Sequence, residues 1–239
     1  MVIGHQRARL ARYILVAAFA AVCAITVAIA APGLGRLAGS EWPPRVGPPA
    51  GLPACRTAEL PAPQAGYGEW ADTLLDPANR LPADYQPPDL VTRQLTYGRV
   101  RVRSFVLPDL VAMLNAAAAN GASVTINSSF RSYATQEIVF GDLAAAEGDA
   151  NASDYAARPG HSEHQLGTAV DLGGGSDWLA ANSWRYGFVM SYPAERSPAW
   201  TCYASEPWHY RYFGRDRAAA IHASGLSPRE WLWQLHSGH

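Results

Sequence analysis

Residues 161–171 read HSEHQLGTAVD, and residues 206–210 read EPWHY. These two stretches contain histidine and acidic side chains, which are ligands that zinc accepts, and a catalytic zinc keeps three protein ligands with one position open for water. His164, Asp171 and His209 would complete such a set. The spacing alone does not decide between His161 and His164 as the first ligand.

The interval between His164 and Asp171 predicts how the chain must run around such a site. Seven residues do not match a helical metal motif of the H-E-x-x-H kind. A turn at Gly167 followed by a strand over 168–172 would deliver Asp171, and the glycines at 173–175 would end that strand.

The second stretch indicates another strand, over 208–213. Side chains alternate along a strand, so His209 shares one face with Arg211 and Phe213. The aromatic residues on the other face would pack on the core; they are Trp208, Tyr210 and Tyr212. Glu206 stands just before Pro207, where a bend of the loop would bring its carboxylate beside a metal-bound water.

The remaining pattern mixes helices and short strands without a β-α-β rhythm, which favours an α+β fold with a small antiparallel sheet flanked by helices. The prolines in 81–88 exclude a helix there. Pro108 and the apolar stripe of Leu110, Val111 and Leu114 predict a helix over 108–120. The other predicted elements are a strand over 124–127, helices over 135–146 and 215–223, a loop over 151–160, and a final helix capped by Ser227.

Composition limits the classes of partner. Charged residues make up 16% of the 239 residues and the net charge is -1, so the charge composition does not suggest a nucleic-acid partner.

Residues 32–66 are rich in proline and glycine and are expected to form an extended linker. We expect the folded domain to occupy residues 67–239, as a monomer.

The first 31 residues indicate a membrane segment. Arg7, Arg9 and Arg12 precede an uncharged run over 13–31, which is near the ~20 residues that a helix needs to cross a bilayer. The basic flank should stay inside, which exports the rest of the chain as an extracytoplasmic domain. Cleavage after the Ala28–Ala30 stretch, giving a secreted protein, is the alternative.

In the exported part, where disulfides are permitted, Cys55 and Cys202 are expected to pair; two buried free thiols are the alternative.

Three separated motifs resemble the family of zinc D,D-peptidases that includes VanY, VanX and the related L,D-carboxypeptidases. Residues 162–171 are similar to the family signature S-x-H-x-x-G-x-A-x-D, and 206–209 to its E-x-x-H motif. Residues 128–136 are similar to its S-G-Y-R-S-Y-x-x-Q segment, with Ser129 where glycine is common and Phe130 where tyrosine or phenylalanine is usual. Residues 81–91 are similar to its lead-in, and the resemblance covers about 72–236.

The resemblance implies a hedgehog-like D,D-peptidase fold and a role for each matching residue. It implies that His164, Asp171 and His209 bind Zn²⁺, which leaves His161 as a neighbour. It further implies that Glu206 is the catalytic base, that Arg131 reaches the scissile carbonyl, and that Ser162 and Gln136 contact substrate. The expected activity is hydrolysis of the terminal D-Ala-D-Ala bond of peptidoglycan stem peptides.

Other functions use some of the same residues. Cys202 with His209 as base would make a cysteine nucleophile. A module that only binds zinc or the cell wall could share the fold, but it would need neither Glu206 nor Arg131. Within the family, an L,D-carboxypeptidase or an endopeptidase that cuts cross-links would share every catalytic residue.

Overall fold

The computed structural model describes residues 47–55 and 70–237. Within these ranges the strands are β1 Leu90–Leu95, β2 Gly98–Arg103, β3 Thr125–Ser128, β4 Ala169–Gly173, β5 Phe188–Met190 and β6 His209–Tyr212. The α-helices are α1 Leu107–Ala119, α2 Tyr133–Glu147, α3 Asp149–Tyr155, α4 Ser176–Asn182, α5 Pro198–Thr201, α6 Arg215–Ser224 and α7 Pro228–Ser237. Short 3-10 helices occupy Trp70–Asp72, Glu163–Leu166 and Ser183–Tyr186.

The strands form two antiparallel sheets. β1 and β2 make a two-stranded hairpin, and the other four strands make a sheet in the order β3-β4-β6-β5. The expected α+β class with a small antiparallel sheet and flanking helices is therefore confirmed.

Helix α1 packs its apolar stripe against this sheet. The buried residues of α1 are Leu110, Met113, Leu114 and Ala117, spaced as one face of a 3.6-residue helix requires. Val111, which the sequence had placed in the stripe, is only half-buried, because Met113 occupies the equivalent place one turn above Leu110. Burying one such large side chain typically contributes about 1.5–3 kcal/mol, so this face holds the helix in place.

The two faces of β6 differ as the alternation predicts. Tyr210 and Tyr212 belong to the main hydrophobic core, together with Phe188 of the neighbouring strand. His209 and Arg211 project from the opposite face, where both contact the carboxylate of Glu163. The strand thus places its aromatic side in the core and its polar side towards a buried charged cluster.

The loop predicted over 151–160 is wrong in its first half, since α3 runs through Tyr155. Gly148, with a φ of 84°, separates α3 from α2 and allows the two helices to pack together. Asn, Asp and Ser favour turns in isolation, but Ala152 is fully buried here, and burial outweighs that weak local preference.

Residues 47–55 lie along the C-terminal helix. Arg229 donates from Nη2 to the carbonyl of Pro53 at 2.9 Å, and the Trp233 indole donates to the carbonyl of Ala50 at 3.2 Å. Cys55 is bonded to Cys202 as a disulfide. This part of the linker is therefore attached to the folded domain at three points.

The expected membrane segment over 1–31 lies outside the described residues, as do 32–46 and 56–66 of the linker and the first residues of the expected domain, 67–69. In the part of the chain that is described, each helix is too short or too polar to cross a bilayer.

Candidate active site

The pairing of β4 with β6 brings two of the expected metal ligands together. Asp171 and His209 are direct partners in the antiparallel register, so their side chains project from the same face of the sheet. Asp171 Oδ1 lies 3.1 Å from His209 Nδ1. The strand that the sequence predicted as the carrier of Asp171 thus delivers it as expected.

His164 reaches the same point from the turn before β4. It sits in the 3-10 helix Glu163–Leu166, and its Nε2 lies 3.2 Å from Asp171 Oδ2. Gly167 ends that helix with a φ of 71°. A Cβ at Gly167 would lie 2.9 Å from Leu90 Cδ2, so both the turn and the packing require glycine.

The hydrogen bonds of the two imidazoles leave one nitrogen of each facing the aspartate. His164 donates from Nδ1 to the carbonyl of Ser129 at 2.8 Å, which leaves the lone pair of Nε2 towards Asp171. His209 contacts Glu163 through Nε2 at 3.0 Å, which leaves Nδ1 towards Asp171. One donor atom from each of these three residues lies within 4.8 Å of the others, a set that fits a zinc ion with one position open.

His161, the alternative ligand, points elsewhere. Its Nδ1 lies 2.8 Å from the carbonyl of Asp76 in a buried position. Burial lowers the pKa of His161, which favours the neutral ring there. The structure therefore keeps His161 outside the group of converging donors.

Asp171 and Glu163 favour a positive charge on the group that lies between them, His209. Burial alone would lower the pKa of His209, but hydrogen bonds to Asp171 and Glu163 raise it to about 10. Burial would raise the pKa of Asp171, yet the contacts with His164 and His209 hold it well below its usual range. A place that stabilises an imidazolium in this way also suits a metal cation.

Glu206 stands at the edge of the donor group. Its Oε2 lies 3.8 Å from His209 Nδ1, and its backbone N–H donates to the carbonyl of Tyr192 at 2.9 Å. Burial raises the pKa of Glu206 to about 7, although His209 acts in the opposite direction. A carboxylate that exchanges a proton near neutral pH is suited to general base catalysis.

Arg131 approaches the donors from the segment after β3. Its Nη2 lies 3.9 Å from Asp171 Oδ2 and donates to Ser128 Oγ at 3.3 Å. Nη1 donates to Gln136 Oε1 at 2.8 Å, and Gln136 in turn donates to the carbonyl of Ala157 at 2.7 Å. The amide of Gln136, which the resemblance assigns to substrate contact, therefore orients the guanidinium in this structure.

Ser162 and the aromatic neighbours complete the surroundings. Ser162 is buried immediately before the 3-10 helix that carries His164. Tyr192 packs on the His209 ring with 5.1 Å between centroids, and Tyr203 packs edge-on against Tyr192. These buried rings form one wall beside the three converging donor residues.

Cys202 does not offer a nucleophile. Its sulfur is bonded to Cys55, so no thiolate is present to attack a carbonyl. The cysteine-nucleophile hypothesis therefore lacks its central group.

Glu163 is the functional candidate that the sequence argument did not place. It is 5% exposed and contacts His209 on the side of the ring away from Asp171. Burial would raise its pKa, but Arg211 and His209 outweigh that effect and lower it to about 2. The sequence shows only that Glu163 stands next to His164. It does not show that Glu163 contacts His209 and Arg211 of β6, which lie far along the chain.

Comparison with known proteins identifies relatives of this chain. The family model described as "VanY: D-alanyl-D-alanine carboxypeptidase" matches residues 99–215. A D-alanyl-D-alanine carboxypeptidase of Enterococcus faecalis (strain ATCC 700802 / V583) is 34% identical over 188 residues, which are 71% of this chain and 68% of the relative.

Two solved structures are similar in fold and sequence. One is a mutant of the vancomycin resistance D,D-pentapeptidase VanY in complex with Zn(II), with 34% identity, a TM-score of 0.61, and coverage of 69% of this chain and 99% of that one. The other is the LdcB LD-carboxypeptidase, with 29% identity, a TM-score of 0.60, and coverage of 66% and 83%. Taken with the motifs and the fold, these matches mean that the chain belongs to the VanY family of D-alanyl-D-alanine carboxypeptidases.

Proposed function

We propose that this chain is a zinc carboxypeptidase that hydrolyses the C-terminal D-Ala-D-Ala bond of peptidoglycan stem peptides. The observation that carries the proposal is the convergence of His164, Asp171 and His209, with Glu206 and Arg131 beside them. Binding alone would require the three donors but neither a carboxylate with a raised pKa nor an oriented guanidinium.

His164, Asp171 and His209 would hold the metal through Nε2, a carboxylate oxygen and Nδ1. A zinc ion bound there would polarise the scissile carbonyl and lower the pKa of a coordinated water. The zinc complex of the VanY relative supports this choice of metal.

Glu206 would move the proton during hydrolysis. Its carboxylate takes a proton from the attacking water, and the water oxygen then forms a bond to the carbonyl carbon. When the C–N bond breaks, Glu206 returns the proton to the departing amine of D-alanine. One residue can serve as base and then acid because its pKa lies near neutrality.

Arg131 would stabilise the negative charge that develops on the carbonyl oxygen. Its guanidinium is held in place by Gln136 and Ser128, so little reorganisation is needed when the charge appears. The carboxylates of Asp171 and Glu206 keep this buried group charged, although burial lowers its pKa.

Incubation of residues 47–239 with zinc and a defined pentapeptide stem ending in D-Ala-D-Ala tests the proposal. Mass spectrometry should show loss of one alanine, giving the tetrapeptide. An intact pentapeptide in the presence of bound zinc would overturn the assigned activity.

An L,D-carboxypeptidase is the second candidate, supported by the similarity to LdcB. It would leave the pentapeptide intact and shorten the tetrapeptide stem to a tripeptide. Cross-link endopeptidase activity would release a longer fragment from a dimeric stem. The same mass assay with tetrapeptide and dimeric substrates separates these activities.

We also propose that the domain acts outside the cytoplasmic membrane as a monomer, attached by the segment over 13–31 or secreted after its cleavage. The Cys55–Cys202 disulfide supports this location, because such bonds persist in oxidising compartments.

A further inference from the structure

The buried carboxylate of Glu163 has both oxygens occupied. Oε2 accepts from Ser191 Oγ at 2.6 Å and lies 3.0 Å from His209 Nε2, and Oε1 accepts from Arg211 Nη1 at 3.0 Å. A carboxylate with these partners lies behind His209 and does not face the converging donors. It is therefore poorly placed to take a proton from an attacking water.

Arg211 holds this carboxylate in one orientation. Its Nη2 donates to the carbonyls of Thr73 at 2.7 Å and Trp70 at 3.1 Å, and its side chain is fully buried over the ring of Phe213. The guanidinium thus connects the N-terminal 3-10 helix to Glu163. Neither member of the pair can turn without leaving a buried charge unpaired.

We propose that Glu163 is a positioning residue that sets the tautomer and ring orientation of His209, and this inference rests on the proposed zinc site. Because Glu163 is fixed as an acceptor, His209 carries its proton on Nε2 and keeps the lone pair of Nδ1 for the metal. His164 is oriented by a neutral carbonyl, that of Ser129. The negative charge of Glu163 therefore makes His209 the more strongly donating imidazole of the two.

Glu163→Gln tests this role through zinc affinity. The amide keeps the size of the side chain but cannot offer acceptors to both Arg211 and His209. If its NH₂ faces His209, the imidazole must accept on Nε2 and carry its proton on Nδ1, which removes the ligand. We expect the zinc dissociation constant, measured by competition with a chromophoric chelator, to rise about 10- to 100-fold.

Glu230→Gln is the matched control. Glu230 is fully buried, is paired with buried Arg196, and also accepts from Ser227 Oγ, but it contacts none of the three proposed ligands. It should lose folding stability as Glu163→Gln does and still bind zinc within about twofold of the wild type. Equal loss of zinc affinity in both variants would mean that Glu163 acts only through general stability.

The double variant Glu163→Leu with Arg211→Met covers the case in which the single variant does not fold, because it leaves no unpaired buried charge and still removes the acceptor for His209 Nε2. Its zinc affinity should also fall at least tenfold. In the zinc-loaded wild type, ¹⁵N-labelled histidine should show a slowly exchanging Nε2–H for His209, and this signal should be lost in both variants. Wild-type zinc affinity in folded Glu163→Gln would overturn the inference.

His164→Ala separates this inference from the proposed function. Wild-type zinc affinity in that variant would show that the metal site itself is misassigned. Loss of zinc in His164→Ala together with normal affinity in Glu163→Gln would refute the role of Glu163 alone.

Discussion

Replacing Glu206 with glutamine isolates proton transfer from metal and substrate binding. Glutamine keeps the size and the hydrogen-bonding capacity of the side chain but cannot accept the proton of the attacking water. The three proposed metal ligands are untouched, and Glu206 Oε2 lies 3.8 Å from His209 Nδ1, beyond a normal hydrogen bond. Zinc stoichiometry should therefore remain near that of the wild type.

The expected fall in kcat is large because, among the described residues, neither neighbouring carboxylate is free to replace Glu206 as the base. Both oxygens of Asp171 face histidine nitrogens, and both oxygens of Glu163 are occupied by buried donors. A positioned general base is typically worth 10²- to 10⁴-fold in rate, or about 3–5 kcal/mol in the activation free energy. We expect kcat for D-alanine release to fall at least about 100-fold.

The assay measures D-alanine release from a pentapeptide stem, with bound zinc determined on the same sample. Glu195→Gln is the matched control, because Glu195 is an exposed glutamate in a surface loop and should retain wild-type turnover. Normal turnover by Glu206→Gln would refute the assignment of the base. Loss of zinc from this variant would instead make Glu206 a ligand and contradict the role given to Asp171.

Three further outcomes are expected. A chelator should abolish activity and added zinc should restore it, whereas full activity in chelated, metal-free protein would exclude the metal mechanism. Arg131→Lys keeps the charge but loses the planar guanidinium that donates to both Gln136 and Ser128. We expect kcat to fall about 100-fold with zinc still bound. An unchanged kcat would show that Arg131 has only a structural role. Protease added to intact spheroplasts should digest the domain, and protection of the domain would refute export.

Much of the fold could be predicted from local signals. The final helix begins with Ser227 and Pro228, and Ser227 exchanges hydrogen bonds with Glu230 as a capping box does. The alternation of β6 separated its core face from its polar face because a strand has a period of two. The hairpin of β1 and β2 was missed, although the sequence RVRVR over 99–103 shows the same alternation, with Val100 and Val102 buried.

The candidate site was predictable only in part. Motif resemblance supplied the proposed ligands and the choice of His164, which spacing had left open against His161. It did not supply the role of Gln136 in holding Arg131, since that depends on the packing of α2 against the segment before it. The contact of Glu163 with Arg211 spans 48 residues and exists only once β4 and β6 have paired.

The pairing of Asp171 with His209 also determines when the proposed metal site can form during folding. These two residues are 38 positions apart, while His164 lies close to Asp171 along the chain. The unfolded chain therefore holds only an incomplete set of donors, and the third arrives after a long loop has closed. A metal ion bound at the proposed site would therefore be captured late, after the sheet has formed, and would not nucleate it. A bound ion stabilises only the native state, by about 2.7 kcal/mol when its free concentration is 100 times its dissociation constant.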